Sequence, residues 1–246
     1  MNFFKAYFLV LFIAPLSLFG QTTARPNPYN LDWRIEAPLF GVGVGAYTGY
    51  HFIKKRITPL TEPQILALNR ADVNGFDRRT TYNWSPKAAV ASDILLYSCI
   101  ASPALLMLDR NIRPDALKVG IISAEVFAVT SALTGLTKVL VHRTRPFVYN
   151  PDAPLDKKMQ QDARMSFFSG HTSVTSSMCF ATAKIYNDYH RGDKSVPYVW
   201  AAAALVPAVT GFLRWQAGKH FPTDIIVGYV VGAAVGFLVP ALHRLR

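Results

Sequence analysis

Two long apolar segments near the end of the chain meet at Leu213-Arg214-Trp215-Gln216-Ala217-Gly218-Lys219-His220-Phe221-Pro222-Thr223-Asp224. Ionisable groups are costly where apolar segments meet, so the arginine, histidine and aspartate here indicate a functional site. If His220 lies in the turn before a helix and Asp224 in its first turn, the carboxylate can accept a hydrogen bond from one imidazole nitrogen. The other nitrogen then stays free, as a histidine nucleophile requires. The alternative for this stretch alone is a hydrated loop with an incidental histidine and aspartate.

The composition of the chain is that of a membrane protein. Of its 246 residues, 51% are hydrophobic and only 17% are charged, whereas soluble domains carry about a quarter charged residues. The formal net charge is +11. Because the basic residues lie mostly beside apolar segments, membrane lipids and phosphate ligands explain them better than nucleic acid does.

The start of the chain predicts a targeting segment. Residues 1–20 begin with a short basic stretch and continue with an apolar run from Ala6 to Phe19, which favours a signal peptide or an N-terminal anchor. Residues 21–36 are polar, contain two prolines and predict a linker. Residues 37–246 are then expected to form one membrane domain.

Six apolar segments predict an all-α fold, a polytopic membrane helical bundle. They run over residues 37–53, 88–108, 117–141, 171–186, 198–213 and 225–242. The first is glycine-rich and barely long enough to cross about 30 Å of hydrocarbon. In the last, Gly228, Gly232 and Gly236 share one side of the helix, which predicts close packing against a neighbour.

Polar residues within and between the apolar segments carry further expectations. Asp93, Glu125 and Lys184 lie inside apolar segments and are expected to face the bundle interior and one another. The long polar stretch over residues 57–87 could fold as a short amphipathic helix on the membrane surface.

A second cluster lies at the end of the third apolar segment. Lys138 and Arg145 are seven positions apart, close to two helical turns, so they are expected to share one side of a helix that Pro146 ends. From there both cations could hold one anion. The alternative for this cluster alone is a pair of basic side chains that extend to the membrane boundary.

A third cluster, Ser169-Gly170-His171, opens the fourth strong apolar segment. A helix that begins here presents unpaired backbone N–H groups and the positive end of its dipole, which together bind anions. His171 could give a proton to a departing alkoxide. Taken singly, the same three residues are also an ordinary helix cap.

In chain order, the three clusters resemble the motifs of the type 2 phosphatidic acid phosphatase family, membrane lipid phosphate phosphatases related in fold to vanadium haloperoxidases. The order is Lys, six residues, Arg-Pro; then Ser-Gly-His; then Arg, five residues, His, three residues, Asp. The resemblance covers Lys138 to Asp224 in motif and the six apolar segments in architecture, and it implies a six-helix core. Two positions depart from the family pattern, since Phe168 and Leu213 stand where the family usually has proline and serine.

The resemblance also implies roles for individual residues. His220 would be the nucleophile that forms a phosphohistidine, Asp224 its partner, and His171 the general acid for the leaving oxygen. The implied phosphate-binding residues are Lys138, Arg145, Ser169, Gly170 and Arg214. The family needs no metal, and the sequence contains no carboxylate cluster suited to magnesium. We therefore expect a phosphorylated lipid as substrate and no cofactor.

Several functions fit this pattern at the level of sequence. A lipid phosphatase could act on undecaprenyl diphosphate, phosphatidylglycerol phosphate, phosphatidic acid or lipid A. The alternatives are a vanadate-dependent haloperoxidase-like enzyme and a transporter or scaffold that binds lipid head groups without turnover.

The charges of the short connections predict the orientation. Residues 109–115 and 187–196 and the C-terminal tail carry basic residues on the side away from the three clusters, and short basic loops stay cytoplasmic. The site is then expected to face the periplasm across a bacterial-type inner membrane. A cleaved signal followed by a spanning segment at residues 37–53 would reverse that orientation.

Overall fold

The computed structural model describes residues 27–245, and the targeting segment predicted at residues 1–20 lies outside the described residues. Within the described range the backbone is helical and contains no strand beyond an isolated antiparallel bridge between Tyr29 and Arg244. The long helices are α1 (Trp33–Lys54), α4 (Pro86–Ala101), α6 (Ala116–Val141), α8 (Gly170–Tyr189), α9 (Val196–Gln216) and α10 (Pro222–Leu242). Short helices between them are α2 (Glu62–Leu66), α3 (Gly75–Arg78), α5 (Pro103–Leu106) and α7 (Leu155–Lys158). The all-α prediction and the six apolar segments are confirmed.

The long helices differ in how apolar they are. Among the residues described, four segments are long and apolar enough to cross a membrane: Pro86–Leu106, Arg113–Tyr149, Val196–Gln216 and Pro222–Leu242. Helix α8 is more polar because it is the central helix, in contact with α4, α6, α9 and α10. Its serine and threonine side chains are buried against these neighbours rather than exposed to lipid.

Helix α10 packs against α8 through its glycines. A Cβ atom added at Gly232 would lie only 2.2 Å from the carbonyl oxygen of Ser173, and Gly228 and Gly236 approach carbonyl oxygens of α8 in the same way, at 2.7 and 2.3 Å. No side chain larger than hydrogen fits at such distances without a backbone shift. The predicted packing role of the glycines is confirmed, and it brings the first turns of α8 and α10 together.

Helix α1 extends over the whole height of the bundle. Near its start, Glu36 lies 3.3 Å from His243 at the end of α10. Just beyond its end, Ile57 packs against Val139 of α6 and Met165. The helix begins at Trp33, before the predicted boundary at residue 37.

The residues that precede α1 are also fixed to the bundle. Tyr29 is fully buried, and its hydroxyl donates to Asp188 at 2.8 Å. The described part of the predicted linker, residues 27–36, therefore belongs to the bundle. The polar composition predicted a linker, but one aromatic ring of this stretch, that of Tyr29, is buried and binds the carboxylate of Asp188.

Of the three ionisable residues inside apolar segments, Glu125 and Lys184 face the interior as predicted, whereas the Asp93 side chain is 48% exposed. The three do not pair with one another. Asp93, Glu125 and Lys184 lie at different levels of the bundle. Their partners are His171, His243 and Asp188, respectively.

Residues 57–87 do not form the single amphipathic helix that was predicted. They form α2, α3 and short 3-10 turns, and of their larger apolar side chains Leu66 and Phe76 are exposed whereas Val73 is buried. The stretch is held in place by Asp77, whose side chain is fully buried. Its buried apolar side chains Leu60 and Ile65 pack against Phe147, so both apolar and polar contacts fix the stretch.

Candidate active site

His220 lies in the tight turn between α9 and α10. Gly218 makes the turn possible because its φ is +67°, and a Cβ atom there would lie 2.1 Å from the carbonyl oxygen of Asn83. The His220 side chain is buried, and its Nε2 lies 3.2 Å from Nη1 of Arg145. A guanidinium only donates, so Nε2 is the acceptor and Nδ1 carries the proton. The nitrogen with the free electron pair therefore faces a buried cation.

Asp224 lies behind His220, in the first turn of α10 as predicted. The ring Nδ1 and the carboxylate Oδ2 are 3.6 Å apart, which is beyond hydrogen-bond distance, so the predicted direct hydrogen bond is not formed. Other donors occupy this carboxylate: Oδ2 accepts from the Ser166 hydroxyl at 2.5 Å and from the Phe221 N–H at 2.9 Å. Its negative charge still faces the protonated Nδ1 at short range.

Arg143 was not predicted as a site residue, although it lies between the two expected cations of its cluster. It donates to Oδ1 of Asp224 at 2.5 Å and to Asp77 at 2.7 Å. Burial opposes ionisation of Asp77, but hydrogen bonds from Asn74, Arg143 and Thr223 outweigh it, and the pKa of Asp77 is lowered. Arg143 thus links the first turn of α10 to the stretch before α4.

Arg145 reaches the site from outside the helix. The prediction that α6 continues to Pro146 is wrong, because α6 ends at Val141 and His142 adopts a left-handed conformation with φ of 52°. The proline disfavours helical backbone at Arg145, whose N–H instead donates to the carbonyl oxygen of Ala163 at 2.8 Å. The buried guanidinium of Arg145 also donates a hydrogen bond of 2.8 Å to the carboxylate of Asp162.

Lys138 and the start of α8 lie side by side. The Lys138 ammonium donates to the carbonyl oxygen of Met165 at 2.9 Å, and its Cε would lie 3.6 Å from a Cβ atom at Gly170. Ser169 is the N-cap of α8, where its hydroxyl accepts from the Thr172 N–H at 3.3 Å. The Ser169 side chain is therefore engaged in capping, whereas the first backbone N–H groups of α8 lie next to a cation.

His171 is held by Asp93 of α4, a residue that the sequence placed in the interior without a role. The His171 Nε2 and the Asp93 Oδ1 are 2.6 Å apart. Arg214 is buried, donates to the Ser92 hydroxyl at 3.2 Å and lies 3.7 Å from Asp93. With Nε2 tied to a carboxylate, Nδ1 of His171 is the nitrogen that can exchange a proton with a ligand.

Short contacts join the three sequence clusters pairwise at one end of the bundle. They connect residues far apart in sequence, so they follow from the fold. The contacts join Ser169 to Asp224, Arg145 to His220, and Lys138 to Gly170.

The electrostatics of the site favour an uncharged His220 ring. Burial, followed by the positive charges of Arg145, Lys138, Arg214 and His171, lowers the pKa of His220 well below its ordinary value of 6.5. The imidazole is therefore uncharged at neutral pH and keeps a free electron pair. The same cations that exclude its proton give this end of the bundle a positive charge that favours an anion.

A separate group of side chains that could act as metal ligands lies outside this site. Within residues 27–245, Glu36, Glu125 and His243 converge as a group that could hold a metal ion. The group lies at the opposite end of the bundle, where α1 begins and α10 ends, and contains none of the predicted site residues.

Comparisons with known proteins show which proteins this chain resembles. The model of the PAP2 superfamily matches residues 120–246, just over half of the chain. An undecaprenyl-diphosphatase from Sulfolobus acidocaldarius is 25% identical over 143 residues, which cover 58% of this chain and 62% of the relative, less than two thirds of its length. A transmembrane PAP2-type phosphatidylglycerolphosphate phosphatase from Bacillus subtilis has a similar fold, with a TM-score of 0.50 and 19% identity over 81% of this chain and 94% of that one.

Proposed function

This chain belongs to the PAP2 superfamily, and on that premise we propose that it is a lipid phosphate phosphatase that works through a phosphohistidine at His220. It is a multi-pass membrane protein, so a membrane lipid is the natural carrier of the phosphate. The observation that carries the proposal is the buried, neutral ring of His220. Its unprotonated Nε2 faces Arg145, and the charges of Lys138 and Arg214 also act on the ring.

In the first step, phosphoryl oxygens take the place of the His220 ring as acceptors for Arg145. Lys138, Arg214 and the N–H groups at the start of α8 bind the remaining charge. Nε2 of His220 then attacks phosphorus and the bond from phosphorus to the leaving oxygen breaks. His171, which has to take up a proton from solvent when the anionic substrate binds, protonates that oxygen.

In the second step, water replaces the leaving group. His171, now neutral, accepts a proton from the water as it attacks phosphorus, and the bond between nitrogen and phosphorus breaks. Inorganic phosphate leaves and both histidines return to their initial states. Asp224 stabilises the positive charge on His220 while the intermediate exists.

Phosphate release from lipids in the presence of EDTA tests this function. Candidate substrates are undecaprenyl diphosphate, phosphatidylglycerol phosphate, phosphatidic acid and the phosphates of lipid A. We expect purified protein to release phosphate, His220→Ala to abolish release, and His190→Ala, at the opposite end of the bundle, to retain it. Full activity in His220→Ala would exclude the proposed nucleophile.

Phosphate release, its inhibition by orthovanadate and the oxidation of halide distinguish this function from the alternatives. A phosphatase of this mechanism is inhibited by orthovanadate, which mimics the transferring phosphoryl group. A non-catalytic transporter or scaffold releases no phosphate from any of these lipids, and a haloperoxidase-like enzyme would oxidise halide when loaded with vanadate.

We further propose that the site faces the periplasm of a bacterial inner membrane. The opposite end carries the short connections, and its basic residues support a cytoplasmic position. These residues are Arg110, Arg113, Arg191, Lys194 and Arg244. Because α1 extends over the whole bundle, residue 27 lies on that cytoplasmic side, so this orientation requires that residues 1–20 are not removed as a signal peptide.

A further inference from the structure

A cavity of about 340 Å³ opens next to Lys219, the residue before the proposed nucleophile. Its walls come from the start of α4, from α7 and from the turn between α9 and α10. The lining residues are Trp84, Ser85, Pro86, Ala89, Pro154, Lys157 and Lys219. Most of the cavity surface is apolar, and two of its lining residues are lysines. Lys157 lies 4.0 Å from the exposed carboxylate of Asp156, so Lys219 is the main cation left for a bound anion.

Lys219 is a partly buried cation that forms no direct ion pair within residues 27–245, although the charge of Asp162 acts on it from a longer distance. Its ammonium lies 4.5 Å from the ring centroid of Phe147 and 5.3 Å from that of Trp84. In the part of the chain that the structure describes, no oxygen accepts a hydrogen bond from this ammonium. Burial, together with the charges of Arg145 and Arg214, lowers the pKa of Lys219 to about 8. A bound anion would remove this electrostatic cost.

The cavity lies on the side from which the leaving group departs. Ala89 lines it, and Asp93, one helical turn further along α4, holds His171 at 2.6 Å. The oxygen that His171 protonates is therefore expected next to this part of α4. Whatever is attached to that oxygen extends toward Lys219 and Lys157.

On the basis of the proposed phosphatase reaction, we propose that Lys219 and Lys157 bind a second phosphate group on the leaving side of the substrate. The enzyme then prefers lipids with two phosphates to lipids with one. Two lipid classes meet this requirement: prenyl diphosphates, in which the phosphates share an oxygen, and phosphatidylglycerol phosphate, in which a glycerol separates them. A leaving group without charge would make no use of the two lysines.

Matched substrate pairs test this preference on the purified full-length protein. One pair is a prenyl diphosphate and the prenyl monophosphate of the same chain length, and the other is phosphatidylglycerol phosphate and phosphatidic acid. The variants are Lys219→Ala, Lys157→Ala and Lys219→Arg. Lys194→Ala, an exposed residue at the opposite end of the bundle, is the control.

We expect each alanine variant to lower kcat/KM about tenfold or more for a lipid with two phosphates, the size of one charge-assisted hydrogen bond. The matching one-phosphate lipid should be hydrolysed at nearly the wild-type rate. Lys219→Arg should retain the preference because it keeps the charge. A loss confined to one of the two pairs identifies which spacing of phosphates the cavity accepts.

Two outcomes would overturn the inference while the phosphatase function stands. In one, the wild-type protein hydrolyses each one-phosphate lipid at the same rate as the matching two-phosphate lipid. In the other, the alanine variants lose activity equally on both members of a pair. Absence of phosphate release from every lipid by wild type would instead refute the phosphatase function itself. If Lys219→Ala does not fold, Lys157→Ala and Lys219→Arg decide the question.

Discussion

At the scale of single residues, His220 has one ring nitrogen against a cation and the other toward a carboxylate. The 3.2 Å contact with Arg145 fixes which nitrogen carries the proton. Asp224, 3.6 Å from the ring, is held by Arg143, Ser166 and a backbone N–H rather than by the histidine. The carboxylate is therefore positioned before the substrate arrives.

The lowered pKa of His220 gives a first prediction. In the proposed mechanism the neutral ring is the reactive form, and it is protonated only when the pH falls below the lowered pKa. We expect nuclear magnetic resonance of ring-labelled histidines in the free protein to show His220 neutral throughout the range around pH 6.5. His220→Asn assigns the signal. A ring that titrates at or above pH 6.5 would contradict the predicted effect of burial and the surrounding cations.

The contact between His171 and Asp93 gives a second prediction. Asp93→Asn removes the charge that stabilises protonated His171, so we expect kcat for a lipid phosphate to fall about tenfold or more. The loss should be much smaller with p-nitrophenyl phosphate, whose leaving oxygen needs no proton. Asp109→Asn is the control, because Asp109 contacts His190 at 3.1 Å at the opposite end. Equal losses on both substrates would show that Asp93 is only structural.

Residues such as Asp93 and Asp77 show what the sequence could not reveal. Neither lies in one of the three clusters, and the sequence separation is 78 from Asp93 to His171 and 66 from Asp77 to Arg143. Residue type and local spacing carry no information about such contacts. In contrast, the motif residues that converge on the site are recognisable because each lies at a fixed spacing from the others in its motif.

At the scale of elements, helix positions are predictable but helix ends are not. Long apolar runs determine the six long helices, and proline marks only the latest point at which a helix can end. Helix α6 ends earlier because Arg143 and Arg145 pair with the backbone of residues 163–166. That pairing depends on a segment about 20 residues later in the chain, which local patterns do not include.

The packing of α10 on α8 gives a third prediction. At Gly232 an alanine Cβ would lie 2.2 Å from a backbone oxygen, whereas at Gly120 of α6 it would meet nothing within 4 Å. We expect Gly232→Ala to destabilise the protein by about 1–3 kcal/mol, the usual cost of overpacking. Gly120→Ala should be neutral or stabilising, since alanine favours helix. Thermal unfolding in detergent measures both, and equal stability of the two variants would contradict the close approach.

At the scale of the whole molecule, polarity is arranged around a central helix. The more apolar helices α4, α6, α9 and α10 surround the serine- and threonine-rich α8, whose first turn lies in the site. The site end carries two long connections, residues 55–85 and 142–169, together with the tight turn of His220, and the opposite end carries residues 102–115 and 190–195. This asymmetry is readable from the sequence, but the full-height course of α1 is not, because its glycine-rich sequence is only marginally apolar.

The orientation gives a fourth prediction. Alkaline phosphatase is active only in the periplasm, and fusions after Tyr82 and after residue 245 place it at opposite ends of the bundle. We expect activity in the first fusion and none in the second. Activity only in the second would place the site in the cytoplasm and would favour a cleaved signal at residues 1–20.

The most direct test of the central claim is detection of phosphate on His220 itself. Purified protein is mixed with a lipid substrate that carries radiolabelled phosphate, denatured at alkaline pH, where phosphohistidine survives, and digested for peptide analysis. We predict label on the peptide that contains His220, none in His220→Ala, and normal label in His190→Ala. Phosphate release by a protein whose His220 never carries label would contradict the claim.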